Sequence, residues 1–173
     1  MPTWIAAAMM LACATTTPLL GQTDKDYGPV SFQERELKAC GPKDKEVKYA
    51  AGTDKMNHPA GEQTAGKALI YILRSGSWGA AVQTKLAVDG EWKGANRAHN
   101  YFFFTLQPGL HYFCSQAENR SVLVLTAEAG KTYYIEQEIH YFPLKPRNDL
   151  AIIDDTEGQN ELAGAHPSTW KVK

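Results

Sequence analysis

Two turn dipeptides on either side of an aromatic strand constrain this chain more than any other feature. Between Leu86 and Cys114 the sequence reads LAVDGEWKGANRAHNYFFFTLQPGLHYFC. Asp89-Gly90 is a pair that accepts positive φ at both central positions of a type I′ turn, so Lys85–Val88 should fold back on Glu91–Lys93 as a tight hairpin. Pro108-Gly109 has the chemistry of a second turn: proline sets φ at the first central position and glycine is free to turn positive at the next. From Tyr101 to Leu106 an alternating strand would put Phe102, Phe104 and Leu106 on one face and Tyr101, Phe103 and Thr105 on the other. Both faces are then largely apolar. After Gly109, Leu110, Tyr112 and Cys114 return on one face, with His111, Phe113 and Ser115 opposite. The stretch predicts a β-meander with enough ring area to be the middle of a core.

The rest of the chain sets the frame for that ribbon. Of 173 residues, those outside an apolar N-terminal run suffice for one domain with a sizeable core. A net charge of −1 and a pI near 6.5 argue against a nucleic-acid-binding surface or a polybasic membrane patch.

Trp4–Ala14, WIAAAMMLACA, is too short to span a membrane and has the length of an export-signal core, although no Lys or Arg precedes it. A buried helix is the alternative. Cleavage could follow Ala14 or fall near Gly21-Gln22, and Met10-Leu11-Ala12-Cys13 offers a weak lipobox in which Cys13 would carry the lipid. Ser31 and Glu34 have capping-box spacing, which predicts a helix over Ser31–Ala39 stopped by Cys40-Gly41-Pro42. Thr53–Gly66 reads as a surface loop. Ala68–Leu73 and Ser121–Ala127 are apolar on both faces and read as central strands. Gly130, in Glu128–Lys131, turns the second of these into Thr132–His140. There Tyr133, Ile135 and Ile139 should face the core, and Tyr134, Glu136, Glu138 and His140 should face solvent. Leu150–Ile153 can form a last strand, and Thr156–Ala163 a helical turn with Thr156 near its cap. The resulting division is an export signal over 1–22, an arm and linker over 23–66, a folded domain over 67–163 and a tail over 164–173.

With Cys13 in the signal, Cys40 and Cys114 remain, and in an oxidising compartment such a pair is most simply a disulfide. Closing a loop of about 75 residues would contribute about 3 to 4 kcal/mol under the chain-entropy account. Two buried free thiols are the alternative.

Catalytic patterns are scarce. His58, His99, His111, His140 and His166 show no HxH or HExxH spacing and no CxxC accompanies them, so no metal site is expected. Glu136, Glu138 and His140 share a strand face that could gather a cation but reads as a solvated face. Asp154, Asp155 and Glu157 lack calcium-loop spacing and suit a helix N-terminus. No nucleophile elbow, dinucleotide fingerprint or P-loop occurs, and neither a cofactor nor a catalytic residue is expected. Trp78 and Trp92, on or beside loops at sheet ends, are the candidate ligand-binding residues, with core packing as the alternative for each. Asn119-Arg120-Ser121 is a glycosylation sequon, relevant only in a eukaryotic secretory pathway.

The order of motifs, KALIYILRSGSWGAAVQTKLAVDGEWKGANRAHNYFFFTLQPGLHYFC followed by LTAEAGKTYYIEQEI and DDTEGQNELA, resembles the DUF2846 family of bacterial envelope proteins. More distantly, VDG followed by LQPG resembles PEGA-type sandwich modules. The resemblance covers roughly Lys67–Ala163. Its most specific residues, Asp89, Gly90, Pro108, Gly109, Gly130, Tyr133 and Tyr134, carry over as turn and strand positions. It implies an envelope or lipoprotein-like setting and supplies no catalytic residue. The expectation is an all-β, antiparallel β-sandwich, Ig-like or PEGA-like, of about seven strands, with a short helix in the N-terminal arm and a C-terminal helical turn. Functionally it is an exported, non-enzymatic module that binds or scaffolds an envelope component, glycan or protein, with no spanning segment once the signal is removed. The alternatives are a hydrolase or metal-dependent enzyme using His111, His140 and nearby carboxylates, and a purely structural, self-associating protein.

Overall fold

The Asp89-Gly90 turn forms as its residues dictate, with φ of 51° and 81°, and joins β3 (Thr84–Val88) to β4 (Glu91–Asn96) as an antiparallel hairpin. The structure, a computed structural model, describes residues 30–141 and 144–173. The export signal over 1–22 and the lipidation of Cys13 fall outside these residues.

The expected meander does not continue past this hairpin. β5 (Asn100–Leu106) leaves for a second sheet, where it pairs antiparallel with β2 (Ala68–Arg74) and parallel with β10 (His166–Val172). Gln107-Pro108-Gly109, with Gly109 at φ 140°, brings the chain back as β6 (Gly109–Gln116) between β3 and β7 (Arg120–Ala127). The two-faced apolar pattern of β5 explains the crossing. Phe102 and Phe104 pack between the sheets with Ile70, Ile72, Leu86, Phe113 and Ile135. Tyr101 and Phe103 pack on the far side with Leu69, Tyr71 and Tyr134. A strand that must be dry on both faces belongs inside a sheet covered on both sides.

The remaining elements are α1 (Phe32–Cys40), β1 (Tyr49–Thr53), β8 (Thr132–Tyr141), β9 (Pro146–Ile153) and α2 (Asp155–Gly164). One sheet is ordered β1-β10-β5-β2-β8-β9 and the other β4-β3-β6-β7, giving a β-sandwich of ten strands among the described residues rather than about seven. It is mixed, not purely antiparallel, because β2 runs parallel to β8 and β10 parallel to β5. The extra strands come from segments read as linker and tail: Tyr49–Thr53 and His166–Val172 pair with each other over five positions. Short, half-buried and rich in Ala, Gly and Pro, they carry little alternation to read.

A helix lies on each outer face. α1 starts at Ser31, whose hydroxyl accepts from Glu34 N, and packs Ala39 and Cys40 against Ala87 and Cys114. There the expected disulfide forms, with Cα atoms 5.1 Å apart. α2 is capped by Asp154, not Thr156, through a 2.9 Å bond from Glu157 N. It covers Tyr134 and Glu136, so the strand face expected to be wet is dry at these two positions. Gly158 permits this approach, because a Cβ there would lie 2.2 Å from Tyr134 Cγ.

The sandwich is closed along its edges by side chains. Gln83 bonds β1 at Ala51 N and Tyr49 O, and the Ser168 hydroxyl donates to Ala95 O on β4. On the opposite side Asn119, just before β7, and Asn148 of β9 bond to each other, and Ser121 accepts from Leu150 N. Strand edges blocked this way offer poor templates for another chain. Between the sheets Gln137 accepts from Thr84 and Asn96 and donates to Ser115, at 2.9–3.1 Å. All four residues are buried. This cross-sheet network fixes how the layers align, since any slip would strand buried polar groups.

Candidate functional site

Arg74 ends β2 on the face that looks into the sandwich, and it is 1% exposed. No carboxylate among the described residues pairs with it. Its guanidinium instead donates to three carbonyls of the loop that follows: Val82 O, Gly79 O at 2.7 Å and Trp78 O at 3.2 Å. Burial, with Arg97 nearby, lowers its pKa to about 10, which still leaves it charged at neutral pH. The planar fork of arginine is suited to holding several carbonyls at once. Residues 75–82 are therefore wrapped around a buried cation. Gly79, at φ 61°, completes the wrap; a Cβ there would meet Ile139 Cγ2 at 2.7 Å.

The product of this arrangement is Trp78, 74% exposed. Its ring meets Tyr141 edge to face, with centroids 6.4 Å apart. Beside it the Ser77 hydroxyl lies 3.1 Å from His99 Nε2. Beneath it the Ser75 hydroxyl donates to Glu136 Oε1 at 2.5 Å. Glu161 reaches the same neighbourhood from α2. Burial pushes the carboxyls of both Glu136 and Glu161 up, against the lowering effect of the Ser75 hydroxyl, and repulsion from neighbouring carboxylates, Glu138 and Glu157 at Glu136 and chiefly Glu136 at Glu161, adds to it. One end of the sandwich thus combines a displayed aromatic pair, a buried arginine and two carboxyls that resist ionisation.

The other sequence candidates lie elsewhere. Trp92 is half-buried against the cluster of Ala39, Cys40, Ala87 and Cys114 on the α1 side, with the Lys85 ammonium 4.7 Å from its ring. The structure does not bring it together with Trp78. His111 ties the two turns to each other, contacting Asp89 Oδ2 at 2.6 Å and Gln107 O at 2.8 Å. His140 stands on the other sheet, 3.6 Å from Asp149. Among the described residues no group of three or more His, Cys, Asp and Glu could hold a metal ion. Gly130, at φ 77°, bonds Lys67 O and serves as the turn it was read to be. Arg74 was missed because a basic residue after ALIYIL reads as the exposed end of a strand.

Two packed sheets, closed along their edges and flanked by a helix on each side, place the chain among the β-sandwich proteins. Residues 64–148 match the model of the family described as Protein of unknown function (DUF2846). The match spans β2 to the start of β9, and so takes in Arg74, Trp78, Glu136 and Tyr141. Comparison with curated proteins and with solved structures found no match. No helix among the described residues is long and apolar enough to cross a membrane.

Proposed function

We propose that this chain is an exported, non-enzymatic module that binds or scaffolds a component of the bacterial cell envelope, and that it binds through the Trp78 end. The observation that carries this reading is the display of Trp78. Burying an arginine without a counter-charge is costly, and here the guanidinium is used to hold a loop that leaves a tryptophan in solvent. Core packing requires no such arrangement, whereas an aromatic anchor on a preorganised loop is what recognition uses. The Cys40–Cys114 bridge suits an oxidising compartment.

The test is a binding screen of the purified, disulfide-intact chain against glycans, peptidoglycan fragments and envelope extracts, with Trp78→Ala and Trp92→Ala alongside. The expected result is binding lost in Trp78→Ala and kept in Trp92→Ala. Binding indifferent to Trp78 would remove the proposed surface. Turnover or a stoichiometric metal abolished by His140→Ala would replace the reading with an enzymatic one.

A further inference from the structure

We infer that the Trp78 end docks onto an anionic lipid surface, an inference that rests on the binding reading above and names its partner. Three large apolar groups gather there. Trp78 is 74% exposed, Tyr141 is 47% exposed against it, and Leu144, 89% exposed, stands in the connection closed by the Tyr141–Pro146 pair. Because β2 and β8 run parallel from Leu69–Thr132 to Leu73–Glu136, their ends point the same way. The Arg74-bound loop and the Tyr141–Pro146 end of the β8–β9 pair therefore lie at one end of the sheet, and the loop leans on Ile139.

The composition of this rim selects among partners. Trp and Tyr are the side chains most at home at the boundary between headgroups and acyl chains, where one edge is apolar and the other wet. Ser77 and His99 beside the ring could serve a sugar, but Leu144 presents only hydrocarbon, for which a sugar has no use and which a bilayer can receive. Charge points the same way. Arg97, Lys145 and Arg147 are exposed, and none forms an ion pair among the described residues. Arg74 adds a buried positive charge without a counter-ion. Glu138 and Asp149 are the facing carboxylates, paired in register on β8 and β9, and Asp149 lies near His140. Among the exposed groups three cations stand against these two carboxylates, while Glu136 and Glu161, beside Ser75, are held towards the neutral form by burial; that exposed excess is what docking to anionic headgroups uses.

Co-sedimentation of the full, disulfide-intact chain with vesicles tests this, using phosphatidylcholine alone and phosphatidylcholine mixed with phosphatidylglycerol. Binding is expected only to the mixed vesicles and should weaken as salt is raised. Lys145→Ala and Arg147→Ala should each weaken it about fivefold. The pair Trp78→Ala with Leu144→Ser should weaken it about tenfold or more. Thermal unfolding confirms that each variant is folded. Absence of binding to the mixed vesicles, or binding undiminished in the Trp78 and Leu144 variant, overturns the inference. If instead a soluble glycan or peptidoglycan fragment binds in a Trp78-dependent way and vesicles do not, the lipid partner is wrong and the binding module stands.

Discussion

Arg74 has the largest consequence of any single residue, because three loop carbonyls depend on its guanidinium. Arg74→Met is expected to destabilise the fold by about 2 to 4 kcal/mol, since the freed carbonyls lose more than the removed charge returns. Arg74→Lys should recover only part, because an ammonium cannot span the same fork. Urea unfolding measures the loss, and acrylamide quenching should show the loop loosened. Acidic residues on the two outer faces of the sandwich should respond to pH in opposite senses. Glu46 is held below the ordinary carboxylate range, chiefly by the Lys85 hydrogen bond at 2.5 Å, with Arg120 contributing. Its stabilisation is present above the unfolded-state pKa and is lost as pH falls through the lower folded value. Glu136 is raised by burial, so the native state holds its proton more tightly than the unfolded chain, and stability falls as pH rises from the ordinary carboxylate value through the raised one. Glu136→Gln should therefore raise the melting temperature at neutral pH, with the gain shrinking on acidification, whereas Glu46→Gln should lower it at neutral pH and matter least in acid. Melting curves across a pH series would reverse this assignment if the two variants moved alike.

Among the elements, the helices depend most on single contacts. α1 is tied to the four-stranded sheet by the disulfide, by Gly90 N donating to Ala39 O at 3.1 Å and by Arg120 bonding Glu36 at 2.9 Å. Replacing both bridge cysteines with serine should cost about 3 to 4 kcal/mol by the chain-entropy account, measured by urea unfolding beside the native chain. A negligible loss would mean that the arm stays docked through its other contacts. α2 rests on Gly158 against Tyr134. Alanine would improve the intrinsic helix preference by about 1 kcal/mol, but its Cβ would fall within the Tyr134 ring, which is itself stacked on Tyr71 at 5.3 Å. The clash should win, and Gly158→Ala is expected to destabilise by about 1 to 3 kcal/mol. Hydrogen exchange should then show α2 opening before the sheets.

At the scale of the whole molecule, the sandwich is closed by its ends. β10 is the strand neighbour of β1 and also flanks β5, and its Trp170 packs on Gly94 across the layers and on Phe102 of the adjacent β5. Removing residues 166–173 should uncover the edge of β5 and lower the melting temperature by well over 10 °C, as expected when a domain of this size loses several kcal/mol. A truncated chain that melts like the full one would show β1 and β10 to be dispensable. The sequence alone determined what depends on neighbours in the chain: the Asp89-Gly90 turn, the Ser31 cap, the doubly apolar strands and the cysteine pair, since φ preference, capping and alternation act over a few residues. Only the tertiary structure decided which sheet each strand joins, that β5 crosses between layers, and that linker and tail supply β1 and β10. It also decided that Trp92 is packed while Trp78 is displayed. Those outcomes depend on what covers each face, and Arg74 can be buried only because carbonyls from a loop several residues away close around it.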